Sequence, residues 1–523
     1  MPRCTPIAVR LESIFPKEDM IPKEWRLSGC TGLNEYLLNE NIVGRRGRTR
    51  EVVSPIWMSV NSVARPRVIG RIPLMGAEEA LSTLGTALCA YRQGLGHWPS
   101  MTMKHRIDCV RRFSGWLEEK RREIVTMLMW EIGKPLKECH NEVDRTIEYM
   151  ERSIEALENQ ATFPLPGHSR IGIRYAPLGV VFCLSSYNFP MNEMLSLVIP
   201  ALLMGNTVVL KPPRFGNLLY VLLAKGFQDS FPSDVINIIW GDAEISEPVM
   251  ASGKIDVVAF VGSSQAAHHL LQLHPQPYRL RCCMGLEAKN PAIVLPTAQL
   301  DVAVLQSVYG ALSLNGQRCT ALKIFFVHRS IAEEFIQKLV SVIENLAFGM
   351  PWEKDVFLTP IPDADRIEYL HELLEDAIDR GAGVLNESGG AIKGSFMYPA
   401  VVYPTQKTMR LYREEQFGPL IPIVPYDDLE EVITYVMNSE YSQQVSIFCG
   451  QSFPEELVKH LENQVCRINI NTICQRGPDH LPFAARKNSG VGVRSVVDSL
   501  YAFSLPSFVT GSIGVTRHIQ KGE

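Results

Sequence analysis

Between about residues 77 and 160, apolar positions recur every three or four residues, as in RIDCVRRFSGWLEEKRREIVTMLMWEI. That spacing predicts helices. From about residue 178 the rhythm changes. GVVFCLS, NTVVLKP, VINIIWG and DVVAFVG are short, continuously apolar runs that predict buried strands. Interleaved with them, MNEMLSLVIPALLMG, NLLYVLLAKGFQ and SQAAHHLLQL predict helices. Strands alternating with helices build parallel β-α-β units, so the expected fold class is α/β with a Rossmann-like sheet. A second alternating block runs from NPAIVLP to about residue 500. Residues 1–75 read as irregular, ending in strand-like pieces such as RVIGRIP. The Pro- and Gly-punctuated FPLPGHSRIGIRYAPLG reads as a protruding hairpin. Neither repeats nor low-complexity tracts interrupt the pattern.

Composition narrows this picture. The chain has 523 residues, 46% hydrophobic and 21% charged, which is ordinary for two or three globular domains. A net charge of −4 gives no general attraction to nucleic acid or anionic membrane. The basic run GRRGRTR (44–50) reads as a solvated loop. Twelve scattered cysteines with no CxxC argue against a disulfide framework or a zinc site and point to a reducing compartment. No apolar run reaches the roughly 18–20 residues of a membrane span. The start, MPRCTPIAVRLESIF, lacks the apolar core of a secretory signal. A soluble, cytoplasmic protein is expected, with no metal, nucleic-acid or membrane partner.

Candidate chemistry begins at LSLNGQRCTALK. Cys319 follows Arg318 where a helical pattern breaks at Asn315-Gly316, and KIFFV beyond it reads as a strand. Such a thiol is either a nucleophile or one more buried cysteine. No GxGxxG is present. FVGSS closes a strand and opens a helix, so Gly262 and Ser263 could meet a pyrophosphate, although a plain turn reads the same way. VVLKPPRFG places Lys211 and Arg214 at another strand end, suited to a ribose-phosphate or simply solvated.

Together these stretches resemble the aldehyde dehydrogenase superfamily. YNFPMNEMLSLVIPALLMGNTVVLKPP, FVGSS, GLEAKNPAIV, NGQRCTALK and EEQFGPLIPI stand in the family's order, and the resemblance runs from about residue 15 to 510. NGQRCTALK and QRGPD are most similar to the NADP-dependent non-phosphorylating glyceraldehyde-3-phosphate dehydrogenases. The resemblance implies a Rossmann-type cofactor domain, an α/β catalytic domain and a small β oligomerisation element. The corresponding bounds are 1–155 and 178–286 for the NADP-binding domain and 287–500 for the catalytic domain. The oligomerisation element and C-terminal tail take 156–177 and 501–523. It implies a homo-oligomer, tetramer or dimer.

The same resemblance assigns roles. Cys319 matches the nucleophile and Asn188 the oxyanion-hole amide. Lys211, Gly262 and Ser263 match cofactor contacts, as do Glu415 on the nicotinamide ribose and Phe417 beside the nicotinamide. Arg214 stands where NAD-using relatives carry a glutamate, which implies NADP. Arg145, Arg318 and Arg476 match the arginines of the phosphate-aldehyde branch. A thiolate attacks the aldehyde carbon, and fixed donors meet the oxyanion. Hydride then leaves a thioester, which water releases with help from a general base. A cation such as Arg318 beside the cysteine is expected to favour the thiolate.

Two departures stand out. The family's base glutamate lies in LELGGK, and here the stretch is MGLEAK, with Gly285 at the glutamate's place. If this segment is an extended strand, Glu287 points to the same face and becomes the candidate base. Phe189 replaces a tyrosine common in the phosphate-aldehyde branch, and Tyr187 could substitute if the chain is extended there. The expected reaction is oxidation of glyceraldehyde 3-phosphate to 3-phosphoglycerate without inorganic phosphate. The competing readings are a general aldehyde dehydrogenase, a non-catalytic nucleotide-binding relative, and a thiol hydrolase without redox chemistry.

Overall fold

The computed structural model describes residues 6–27, 48–61, 63–160, 163–164 and 172–509. Two mainly parallel sheets organise the chain. The first has six strands in the order Gly490–Val491, Arg281–Gly285, Val257–Val261, Val180–Leu184, Thr207–Lys211, Ile236–Ile238. Only Gly490–Val491 runs antiparallel to its neighbour. Strand order reverses at Val180–Leu184. The chain first moves outward to Ile236–Ile238, then returns to lay Val257–Val261 on the other side. The crevice outside the carboxyl ends of these two central strands is the topological switch point, where open α/β sheets bind ligands.

Every residue of Val180–Leu184, Thr207–Lys211 and Val257–Val261 is buried. Helices cover both faces. Ala80, Leu84 and Ala87 of the helix Ala77–Tyr91 pack with Val180, Phe182, Val209 and Val258. On the opposite face the apolar helices Asn192–Leu203 and Asn217–Ser230 pack with Val181, Cys183, Val208 and Leu210. Burial on both faces explains why these runs are continuously apolar instead of alternating.

The second sheet has seven strands in the order Gly383–Val384, Ala400–Tyr403, Leu420–Tyr426, Leu322–His328, Asn290–Val294, Gln444–Phe448, Arg467–Ile470. All are parallel except Gly383–Val384. A small antiparallel sheet joins Phe163–Pro164, Gly172–Pro177 and Ser504–Val509. The hairpin read from the sequence lies here. Its segment 165–171 and the tail 510–523 fall outside the described residues.

The N-terminal region differs from its irregular reading. Thr49–Val60 and Val63–Pro73 form a long antiparallel hairpin. Register shifts after Val52 and after Ser54 break the inward-outward alternation, which removes the period-two signal. Part of the basic run read as a loop is also strand, and Arg50 pairs with Asp242. Positions 44–47 lie outside the described residues. Among the described residues no helix is long and apolar enough to cross a membrane, and no group of three or more His, Cys, Asp or Glu is placed to hold a metal.

Candidate active site

A cavity of about 840 Å³ opens at the switch point and is walled by both sheets. All twelve candidate residues line it. Cys319 arrives by a constrained turn. The helix Leu300–Leu312 ends in a short turn where Leu314, Asn315 and Gly316 take φ of 53°, 54° and 74°. The Asn315 side chain locks this turn, donating to the Thr359 carbonyl at 2.9 Å and accepting from the Thr359 N–H at 3.1 Å. A Cβ at Gly316 would lie 2.5 Å from the Gly418 carbonyl oxygen and 2.8 Å from that of Ala311. Both neighbours are backbone and cannot swing away. Gly316→Ala is therefore expected to displace Cys319 and lower kcat by about 100-fold, the usual effect of a ~1 Å misplacement. Circular dichroism should remain native, and turnover within threefold of wild type would count against this account.

Asn188 follows the strand Val180–Leu184 and reaches across to the cysteine loop. Its Nδ2 donates to the Gln317 carbonyl at 2.8 Å, and Ser186 Oγ donates to its Oδ1 at 2.6 Å. The amide is thereby oriented, with a second hydrogen to offer an oxyanion. Tyr187 donates to Gln317 Oε1 at 2.9 Å, and Lys134 Nζ sits 4.0 Å over the Phe189 ring. Both aromatic residues are thus engaged with protein groups beside the thiol loop.

The thiolate expectation needs correction. Burial pushes the Cys319 thiol up from its ordinary value, and the Glu193 carboxylate adds to this. Lys323 and Arg494 are the main cations that oppose it, and Arg318 also interacts favourably with the thiolate. Arg318 donates to Ser313 Oγ, to Thr320 Oγ1 at 3.2 Å and to the Cys474 carbonyl at 3.2 Å.

At the cofactor end, Ser263 caps the helix Ser264–Leu273, accepting from the Ala266 N–H at 3.2 Å. Gly262 lies against the Phe260 ring, which leaves no room for a Cβ. Lys211 is buried, and burial together with the charge of Arg50 brings it down to about 8. Arg214 is mostly exposed and pairs with Asp365 at 2.9 Å. Glu415 accepts from the Ala288 N–H at 3.0 Å and pairs with Lys323. Phe417 holds a left-handed φ of 45°, uncommon for a bulky residue, which turns its ring toward Tyr187 at 6.0 Å. Ser185 Oγ, on the cavity wall, is buried without a protein partner, so the site has a polar atom for a ligand to satisfy. The glycine turn, helix terminus, ribose-side cations and this orphaned hydroxyl fit a dinucleotide.

Glu287 is placed differently from its expectation. The strand Arg281–Gly285 ends two residues before it. Its Oε2 accepts from the Ser264 N–H at 3.0 Å and Oγ at 2.6 Å. The carboxylate is held at the cofactor-side helix terminus.

At the substrate end, Arg145 makes a paired contact with Asp479 at 2.8 and 3.1 Å. Arg476 pairs with Glu193 at 2.6 Å and with Asp479 at 3.6 Å, and Arg494 pairs with Glu193 at 3.1 Å. The sequence reading did not single out Glu193, Arg494 or Lys323. A carboxylate inside the otherwise apolar MNEMLSLVIPALL was the available signal for Glu193.

A turn-mounted cysteine, the Asn188 amide bonded to its loop, and a glycine turn at a helix terminus thus meet at one switch point. The sequence profile of the aldehyde dehydrogenase family matches residues 54–509, and the chain belongs to that family. It is 31% identical over 447 residues to the NADP-dependent glyceraldehyde-3-phosphate dehydrogenase of Streptococcus equinus, covering 83% of this chain and 91% of that one. The sulfoacetaldehyde dehydrogenase of Neptuniibacter caesariensis is 26% identical over 426 residues, covering 79% and 91%. Among solved structures, the NADP complex of glyceraldehyde-3-phosphate dehydrogenase from Bacillus halodurans C-125 superposes with a TM-score of 0.80 at 30% identity, covering 89% and 96%.

Proposed function

We propose that this chain is an NADP-dependent dehydrogenase that oxidises glyceraldehyde 3-phosphate to 3-phosphoglycerate without inorganic phosphate. The observation carrying the reading is the substrate end of the cavity. Three guanidiniums, Arg145, Arg318 and Arg476, line it with Glu193; Arg494 pairs with Glu193, and Asp479 pairs with Arg145 and Arg476. Among the described residues Arg318 pairs with no carboxylate, which suits a bound anion. The names of the Streptococcus equinus and Bacillus halodurans relatives point to the same aldehyde.

Cys319 Sγ attacks the aldehyde carbon, and the Asn188 amide meets the resulting oxyanion. One such donor contributes about 3 kcal/mol. NADP, when bound, accepts the hydride. Lys211 and Arg214 hold its ribose-phosphate, Gly262 and Ser263 its pyrophosphate, and Glu415 and Phe417 position the nicotinamide end. Water then releases the acid from the thioester. A reducing, cytoplasmic setting and a homo-oligomer belong to this reading. Ile173, Leu505 and Phe508 expose apolar surface on the small antiparallel sheet, in keeping with subunit contacts there. So does the division into NADP-binding residues 1–155 and 178–286 and catalytic residues 287–500.

An aldehyde panel with NAD and NADP, with and without inorganic phosphate, tests it. Glyceraldehyde 3-phosphate with NADP should be preferred, with no need for phosphate. Preference for an uncharged or sulfonated aldehyde would overturn the substrate assignment.

Cofactor choice gives a separate expectation. Arg214→Glu should reduce the preference for NADP over NAD at least tenfold, because a planar cation suited to a 2′-phosphate becomes a repelling carboxylate. Equal kcat/KM with both cofactors in the wild type would contradict the role of Arg214.

A further inference from the structure

The geometry points to Glu193 as the carboxylate that takes the proton from the hydrolytic water, standing in for the glutamate that position 285 lacks. A Cβ at Gly285 would lie 2.5 Å from Arg494 Nη2, so the space for a side chain there is filled by a guanidinium. That guanidinium holds Glu193 at 3.1 Å, and Arg476 holds its other oxygen at 2.6 Å. Glu193 stands in the first turn of Asn192–Leu203, five residues beyond Asn188, and lines the same cavity as Asn188 and Cys319. After burial, its charge is the strongest influence on the Cys319 thiol. Glu287 is committed to Ser264.

The arginines also set when this base can work. Burial alone would push the Glu193 carboxyl up, but Arg476, Arg494 and Arg145 together bring it down to about 2. So strongly held, it is a weak base. A substrate phosphate bound at Arg476 competes with Glu193 for that guanidinium and adds negative charge nearby. Both effects raise the basicity of Glu193 when an acyl group sits on Cys319. This coupling, and with it the full strength of the base, rests on the phosphorylated-substrate reading; the position of Glu193 does not. In the step itself, water oxygen bonds to the thioester carbon and its proton passes to Glu193. The C–S bond breaks with its electron pair on Cys319 sulfur. The acid and Glu193 then lose their protons to solvent.

Rapid-mixing kinetics test both parts. With glyceraldehyde 3-phosphate, Glu193→Gln should keep a stoichiometric NADPH burst but slow the following steady state at least tenfold. Formate should restore part of the turnover of Glu193→Ala, as a structural role alone would not allow. An unchanged ratio of burst to steady state in Glu193→Gln, or slowed deacylation in Glu287→Gln alone, would overturn the assignment. The wild type supplies an arm that needs no variant to fold. Sulfate, a dianion that cannot attack the thioester, should speed steady-state propanal oxidation relative to chloride at equal ionic strength. Absence of that effect with Glu193→Gln still defective would remove the phosphate coupling and leave the base. Absence of both effects would remove the proposal.

Discussion

Cys319→Ala should abolish NADPH production while NADP binds with nearly wild-type affinity. The split follows from where the thiol stands. Cys319 lies in the turn before Leu322–His328, two residues beyond the Gln317 carbonyl that the Asn188 amide holds. Lys211, Arg214, the Gly262-Ser263 turn and the Glu415–Phe417 loop, the proposed cofactor contacts, line the cavity from other elements. Removing Sγ deletes the covalent step and leaves those groups in place. Fluorescence titration with NADPH and an aldehyde-dependent rate assay check the two halves, and substantial residual dehydrogenase activity would exclude Cys319 as nucleophile. The raised thiol adds a pH signature. Burial and Glu193 disfavour the thiolate, so the acylation burst of the wild type should accelerate from neutral pH into the alkaline range. A burst rate independent of pH across that range would mean that the thiol is already ionised when substrate arrives.

The sequence carried the central strands well because they are buried on both faces. Runs such as VVFCL and VVAFV admit little besides a parallel-sheet interior. Site residues that end those strands, or sit in the adjoining turns, come together around one crevice. The N-terminal hairpin was not legible, because its bulges scramble the alternation that identifies a half-buried strand. The partner of Glu287 was not legible either, because Ser264 lies 23 positions away at the start of another helix. Glu193 and Arg494 escaped notice for a related reason. They lie 301 positions apart, and their ion pair exists only once both sheets are assembled. No local period encodes such a contact. A glycine where a family places its catalytic carboxylate signals that something else fills the space. It does not say which arginine.

Arg476→Ala should raise KM for glyceraldehyde 3-phosphate far more than for propanal. The guanidinium is buried on the cavity wall, and the carboxylates of Glu193 and Asp479 hold it firmly charged. A charge-assisted hydrogen bond contributes roughly 1.5–3 kcal/mol, or about 10–150-fold in affinity, and propanal has no group to receive it. Truncation also releases one side of Glu193 and weakens a buried ion network, where losing one partner costs about 3–5 kcal/mol. Arg494 still holds Glu193, so the native fold should survive with a lower melting temperature, and rates are best compared well below that temperature. Arg476→Lys separates charge from shape. It keeps the cation but loses the planar fork, so its KM for the phosphorylated aldehyde should fall between wild type and alanine. If Arg476→Ala changes KM equally for both aldehydes, the arginine is structural. The cavity then belongs to a general aldehyde dehydrogenase.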